Sequence, residues 1–169
     1  MRLEAIPAML AMIPSVIRGV STEDLERIKR IVRATFPGVR QIGVQTLANW
    51  FNEKNLNLLV IDVRSQKEYE VSHLRGAINL CRQSEIHRLI MERRPSHTVV
   101  YCSVGFRSSR IAAQLKHANE QVFNLEGSIF EWVNQGRPVY KGERQAHTVH
   151  PFEKRWAGLL KEGFASKTS

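Results

Sequence analysis

Two unbroken strand-like runs, Leu58-Leu-Val-Ile61 and His97-Thr-Val-Val-Tyr101, limit the fold more than any other feature of the chain. A strand that is apolar on successive positions needs cover on both faces of its sheet. Helical periodicities lie before, between and after these runs. The reading along the chain is a helix over 22–35, a short extended piece at Ile42, a helix over 44–52 and the strand over 58–61. A short polar helix over 66–72, a strand over 77–80 and a helix over 84–93 follow, and Pro95 stops the last of these. After the strand over 97–101 come a helix over 107–117, a strand over 121–125 and a helix over 128–135 that ends at Gly136. Strands alternating with helices predict an α/β fold with a mainly parallel central sheet and helices on both faces. Ligand sites of such sheets form at the carboxyl ends of strands, where Asp62 and Cys102 fall.

The helix over 22–35 has its own start signal, Ser21 with Asp24 three residues on, and an apolar stripe of Leu25, Ile28, Ile31 and Val32 that something must cover. The division expected is an N-terminal extension with this amphipathic helix over 1–40, an α/β domain over 41–140 and a basic tail over 141–169. In the tail, Phe152, Trp156, Leu159 and Leu160 suit one short helix packing back on the domain.

With 169 residues and 43% hydrophobic content, one core suffices without disulfide or metal. Two cysteines, Cys81 and Cys102, are too few for a secreted disulfide scaffold and fit the reducing cytoplasm. Of these, Cys81 is expected to be a partly buried thiol. The formal charge of +9 is spread evenly: 7 basic against 4 acidic residues in 1–40, 12 against 9 in 41–140, and 6 against 3 in 141–169. Lacking a basic stripe, the chain is not expected to bind nucleic acid. The apolar stretch over 5–17 is broken by Pro7 and Pro14 and preceded by Glu4. It is read as a docking segment or loose arm, without stable membrane insertion.

Cys102 opens the run Cys-Ser-Val-Gly-Phe-Arg ending at Arg107, and Ser108 and Ser109 lead into a helix. A strand, a loop holding Gly105 and a helix N-terminus aim backbone N–H groups at the sulfur. These dipoles and the fixed cation of Arg107 lower a thiol pKa from its ordinary value of about 8.5. The loop is expected to lie outside the core, so that loss of the thiol leaves the fold intact. No histidine lies in it; His73, His87, His97 and His117 are read as surface or helix-end residues, which disfavours a Cys/His hydrolase. His147 and His150 lack a third ligand type, and no metal or organic cofactor is expected.

In order, Leu58-Leu-Val-Ile-Asp-Val-Arg64, Glu68-Tyr69, Ser72-His-Leu-Arg-Gly-Ala-Ile-Asn79, Val99-Val-Tyr-Cys-Ser-Val-Gly-Phe-Arg-Ser108 and Asn124-Leu-Glu-Gly-Ser128, with Trp132 and Gly136-Arg-Pro138 beyond, resemble the rhodanese family of sulfurtransferases. The resemblance implies a rhodanese-like domain over 41–140. It implies transfer of sulfane sulfur from a donor such as thiosulfate to a thiophilic acceptor through a persulfide on Cys102, the only covalent group involved. Ser103, Val104, Gly105, Phe106, Arg107 and Ser108 would bind the substrate, their N–H groups holding the outer sulfur and Arg107 the departing oxyanion. Asp62, Arg64 and Glu68 would be supporting residues that hold the loop. Partners so implied are a small-molecule or protein persulfide donor and a thiol or cyanide acceptor. The alternatives are a protein-interaction or regulatory module with little turnover and, on the related fold, a phosphatase. Phosphatases of that kind place five residues between Cys and Arg, whereas four lie between Cys102 and Arg107, a ring better sized for one sulfur atom than for a phosphoryl group. Ser103 stands where strong thiosulfate users of the family have Arg or Lys, which points to an organic or protein-borne donor.

Overall fold

A computed structural model describes residues 21–115 and 121–167. The elements are α1 (Thr22–Thr35), β1 (Arg40–Ile42), α2 (Val44–Asn52), β2 (Leu58–Asp62), α3 (Gln66–Val71), β3 (Ile78–Asn79), α4 (Gln83–Arg93) and β4 (His97–Tyr101). They continue with α5 (Phe106–Leu115), β5 (Val122–Leu125), α6 (Ser128–Asn134), β6 (Val139–Lys141), β7 (Arg144–Ala146) and a 3-10 helix, Lys154–Leu159.

All pairings in the five-stranded sheet are parallel and the order is β1-β5-β4-β2-β3. Because successive side chains point to opposite faces, the apolar runs supply two cores at once. Val60, Val99 and Phe123 face α1, α2 and α6 through Leu25, Ile28, Leu47 and Phe130. Leu59, Ile61 and Val100 face α4 and α5 through Ile86, Ile90, Ala112 and Leu115. The expected α/β architecture with helices on both faces is therefore the observed one. The chain leaves β2 for β3 on one side and leaves β4 for β5 on the other, so the switch point of the sheet lies between β2 and β4. Asp62 and Tyr101 end those strands in register with each other.

The N-terminal helix is covered by the body of the molecule itself. Its Leu25, Ile28 and Val32 are buried in the core that also holds Trp156 and Leu159 of the 3-10 helix, and Ser21 N–H donates to Asp24 at 2.8 Å to start it. The C-terminal part forms more structure than the expected short helix. β6 and β7 make an antiparallel hairpin, and Tyr140 and His73 exchange backbone hydrogen bonds at 2.8 Å each.

Two expectations are corrected. The Cys102 loop is inside the core, since Cys102, Ser103 and Val104 are all buried; α6 and the C-terminal segment close over it. Cys81 is exposed, because β3 is a two-residue edge strand and the chain leaves the sheet before the thiol can be covered. The segment over 5–17 and His117 lie outside the described residues. Among the described residues, no helix is long and apolar enough to cross a membrane.

Candidate active site

β4 is the central strand and delivers Cys102 to the switch point, where the loop turns and α5 begins at Phe106. The sulfur receives the N–H of Gly105 at 3.2 Å and the hydroxyl of Ser108 at 3.4 Å. The loop can turn its N–H groups inward because its carbonyls are engaged outside. Ile129 and Phe130, at the start of α6, donate to the carbonyls of Cys102 (3.3 Å) and Ser103 (3.1 Å). The N–H of Cys102 goes to Ser128 Oγ at 3.1 Å. Glycine is required at two places in this arrangement. Gly105 has φ +103°, and a Cβ on Gly127 (φ +66°) would stand 2.6 Å from that of Glu131. Burial pushes the Cys102 thiol up, but Arg107, the Ser108 hydroxyl and the N–H groups of Ser108 and Gly105 together outweigh it. The net result is a lowered pKa.

Arg107 faces Glu68 in a forked pair, with Nη1 to Oε2 at 2.9 Å and Nη2 to Oε1 at 2.6 Å, and Nη2 also reaches Ser103 Oγ at 3.0 Å. Glu68 sits there because it is also the third residue of the α3 capping box. Its Oε2 accepts from the N–H and hydroxyl of Ser65 at 3.0 and 2.8 Å. Burial pushes the Glu68 carboxyl up, yet Arg107, Arg64 and Ser65 hold it down at about 2. The carboxylate therefore joins the start of α3 to the loop.

Asp62 and Arg64 make a separate pair, fully buried, with Nη2 to Oδ2 at 2.7 Å. Arg64 Nη2 also donates to the Ser72 carbonyl at 2.6 Å. Tyr101 donates its hydroxyl to Asp62 at 2.6 Å and accepts the N–H of Leu74 at 3.0 Å. These bonds tie β2 to β4 and to the chain beyond α3, one layer behind the loop.

In front of the sulfur is a pocket of about 280 Å³, its open mouth included, lined by Cys102, Ser103, Val104, Phe106, Arg107, Phe152 and Trp156. Cys102 is only 1% exposed beneath it. The Phe152 ring lies over the Arg107 guanidinium at 4.5 Å and edge-on to Trp156 at 5.6 Å.

The sequence profile of the Rhodanese-like domain family matches residues 44–135, more than half of the chain. The chain belongs to the rhodanese-like domain family. This rhodanese-like chain is 28% identical over 119 residues to a probable molybdopterin-synthase adenylyltransferase of Porphyra purpurea, covering 68% of this chain and 31% of that protein. It is 31% identical over 86 residues to the tRNA uridine(34) hydroxylase of Escherichia fergusonii, covering 47% of this chain and 25% of that protein. The chain thus spans about a third or less of the length of these curated relatives. Among solved structures, it is similar to a rhodanese-related protein from Thermoplasma volcanium, with TM-score 0.51 and 27% identity over 60% of this chain and 98% of that one. It shares the fold of a thiosulfate sulfurtransferase from Pseudomonas aeruginosa, with TM-score 0.57 and 16% identity over 81% of this chain and 27% of that one.

Every residue expected at the rhodanese-like site is at or next to the carboxyl end of the sheet. Ser103, Val104, Gly105, Phe106, Arg107 and Ser108 surround the sulfur, and Glu68 touches the loop directly, whereas Asp62 and Arg64 act through Tyr101 and the backbone. The loop pocket also contains Phe152 and Trp156, which lie beyond the family match and which sequence reading assigned only to tail packing. Ser128 and Gly127 stand in the matched Asn124–Ser128 piece, so their presence was visible and their hydrogen-bonding part was not. The weighed histidines do other work: His73 stacks on Tyr69, His97 on Phe123, and His87 is exposed. His150 accepts the Phe152 N–H at 3.0 Å.

Proposed function

We propose that this chain is a sulfurtransferase in which Cys102 carries sulfane sulfur as a persulfide. The observation that carries the reading is the sulfur's setting: Gly105 N–H and Ser108 Oγ at 3.2 and 3.4 Å, in a four-residue turn at the N-terminus of α5. The Cys102 thiolate attacks the outer sulfur of a donor; a Cys102–S bond forms while the donor's S–S bond breaks, and the electron pair of that bond leaves with the donor fragment. The transferred sulfur then stands in the pocket as the terminal atom of an anionic persulfide, stabilised by the loop N–H groups. A thiolate acceptor, or cyanide, takes it in the second step and returns Cys102 to a thiolate. The reaction needs no metal or organic cofactor.

Donors on this reading are a small thiosulfate-like molecule or a persulfide on a thiol or protein, and the compartment is the reducing cytoplasm, where Cys81 and Cys102 stay unpaired. Relatives named for tRNA uridine hydroxylation and for molybdopterin-synthase adenylylation hold a similar segment within longer chains. A shared sulfur-handling step on one module accounts for that. The four-residue loop also disfavours a phosphatase, whose substrate needs a wider ring.

The test is the intact mass of the protein after exposure to thiosulfate or an alkyl persulfide. The expected result is a gain of one sulfur atom on a Cys102 peptide, removed by cyanide, and no gain in Cys102→Ala. Sulfur on Cys81 with Cys102 unmodified would overturn the assignment, and a Cys102 that takes sulfur from neither donor would favour the interaction-module reading.

A further inference from the structure

Resting on that reading, we infer that Phe152 and Trp156 set the donor specificity of the Cys102 pocket, admitting the slender end of an organic persulfide and turning away thiosulfate. Both residues lie beyond the segment matched by the rhodanese-like profile, at residues 44–135, so this wall belongs to the chain's own C-terminal segment.

That segment is pinned on both sides of the pocket. Before it, Ser72 donates to the Thr148 carbonyl at 2.7 Å, and Val149 pairs with Phe164 and Ser166 through backbone bonds of 2.7 and 2.9 Å. After it, Asn134 donates to the Leu159 carbonyl at 2.7 Å and accepts the N–H of Lys161 at 2.8 Å. Between these anchors Phe152 holds φ +68°, a conformation that side-chain-bearing residues seldom adopt, with its N–H caught by His150 Nδ1 at 3.0 Å. A strained residue persists where its surroundings over-determine it. Here the result is a benzene ring placed over Arg107 at the mouth of the pocket.

The electrostatics point the same way. Thiosulfate is a tetrahedral dianion whose departing group, sulfite, is also a dianion, and it needs a cation facing it. Among the described residues, Arg107 is the cation lining the pocket, and its charge is spoken for: Glu68 takes both Nη atoms, and Phe152 covers the guanidinium face. The remaining walls are Ser103, whose hydroxyl is engaged by Glu68 and Arg107, and the apolar Val104, Phe106 and Trp156. An alkyl persulfide, R–S–SH, asks less of such a pocket. The end that enters, CH2–S–SH, is narrow and carries no oxyanion, and the Cys102 thiolate attacks its outer sulfur. The Cys102–S bond forms, the S–S bond breaks, and R–S⁻ leaves with the electron pair and is protonated by solvent. No oxidant or reductant is consumed.

The experiment measures the rate of sulfur loading on Cys102 by quenched intact-protein mass spectrometry, with glutathione persulfide and with thiosulfate, for the full chain and for Phe152→Gly. Glycine adopts φ +68° freely, so the ring is removed without new backbone strain. The expected wild-type preference for glutathione persulfide is at least about tenfold in kcat/KM for loading, falling to within about threefold in Phe152→Gly, chiefly through faster loading from thiosulfate. Phe152→Asn, a residue that also tolerates positive φ, gives the same comparison if the glycine variant does not fold. An unchanged donor ratio in a folded variant, or a wild type that loads at least as fast from thiosulfate, overturns the inference while leaving the sulfurtransferase reading in place. Loading from neither donor, in wild type and variant alike, overturns the sulfurtransferase reading itself and this inference with it.

Discussion

Two guanidinium–carboxylate pairs stand within one layer of each other at the carboxyl end of the sheet, and they have different consequences. Both side chains of the Arg64–Asp62 pair are 0% exposed, whereas those of Arg107–Glu68 are 16% and 4% exposed and Arg107 lines the pocket. The inner pair bonds to Tyr101 and to the Ser72 carbonyl, so its partners are framework. The outer pair bonds to Ser103 of the loop, and Arg107 also lowers the Cys102 thiol. The same chemistry is a brace when sealed and a means of tuning a thiol when it reaches the site. A pair's surroundings, more than its residue types, decide which.

The comparison breaks most visibly at the inner pair. Asp62→Ala leaves the Arg64 cation buried without its carboxylate and removes the acceptor of the Tyr101 hydroxyl, so a loss of about 3–5 kcal/mol is expected in urea unfolding. A loss below about 1 kcal/mol would show that Asp62 is not a brace. At the outer pair, Arg107→Ala should cost less, about 1.5–3 kcal/mol, because Glu68 keeps its Ser65 and Ser103 donors. Its distinguishing effect is on the thiol: without the cation the Cys102 pKa rises, so the pH midpoint for alkylation of Cys102 moves up, while a midpoint that stays put removes Arg107 from the tuning. An effect confined to low pH is the acid limb of stability. Folding lowers Glu68 from its ordinary 4.5 to about 2. The unfolded state therefore binds the proton first, and the stabilisation is whole above about pH 4.5 and lost as pH falls toward 2. Glu68→Gln should flatten that part of the stability profile, and an acid limb as steep as the wild type's would place the titration elsewhere.

What could be read from the residues in advance follows from how local each signal is. The runs 58–61 and 97–101 announce buried parallel strands because every position after their half-buried first residues, Leu58 and His97, is covered, and Cys102, Gly105 and Arg107 announce a cradle because they are close in sequence. Glu68 carried a local signal too, since Ser65 and Glu68 form a capping box, but its bond to Arg107 spans 39 residues and left no mark on either segment. The C-terminal wall was the least legible. Phe152 is separated from the loop by some fifty positions of chain, and aromatic residues in a tail look the same whether they fill a core or face a reactive sulfur. The burial of the loop was misjudged for the same reason, since the elements that cover it come later in the chain.

The hold of α6 on the loop carries a consequence for the order of events during synthesis. The carbonyls of Cys102 and Ser103, turned away from the sulfur, are received by the N–H groups of Ile129 and Phe130. A chain whose β5 and first turn of α6 have not yet emerged cannot make these bonds, and its Cys102 is expected to titrate closer to an ordinary thiol. On the sulfurtransferase reading, the reactivity of Cys102 therefore arrives together with the finished fold.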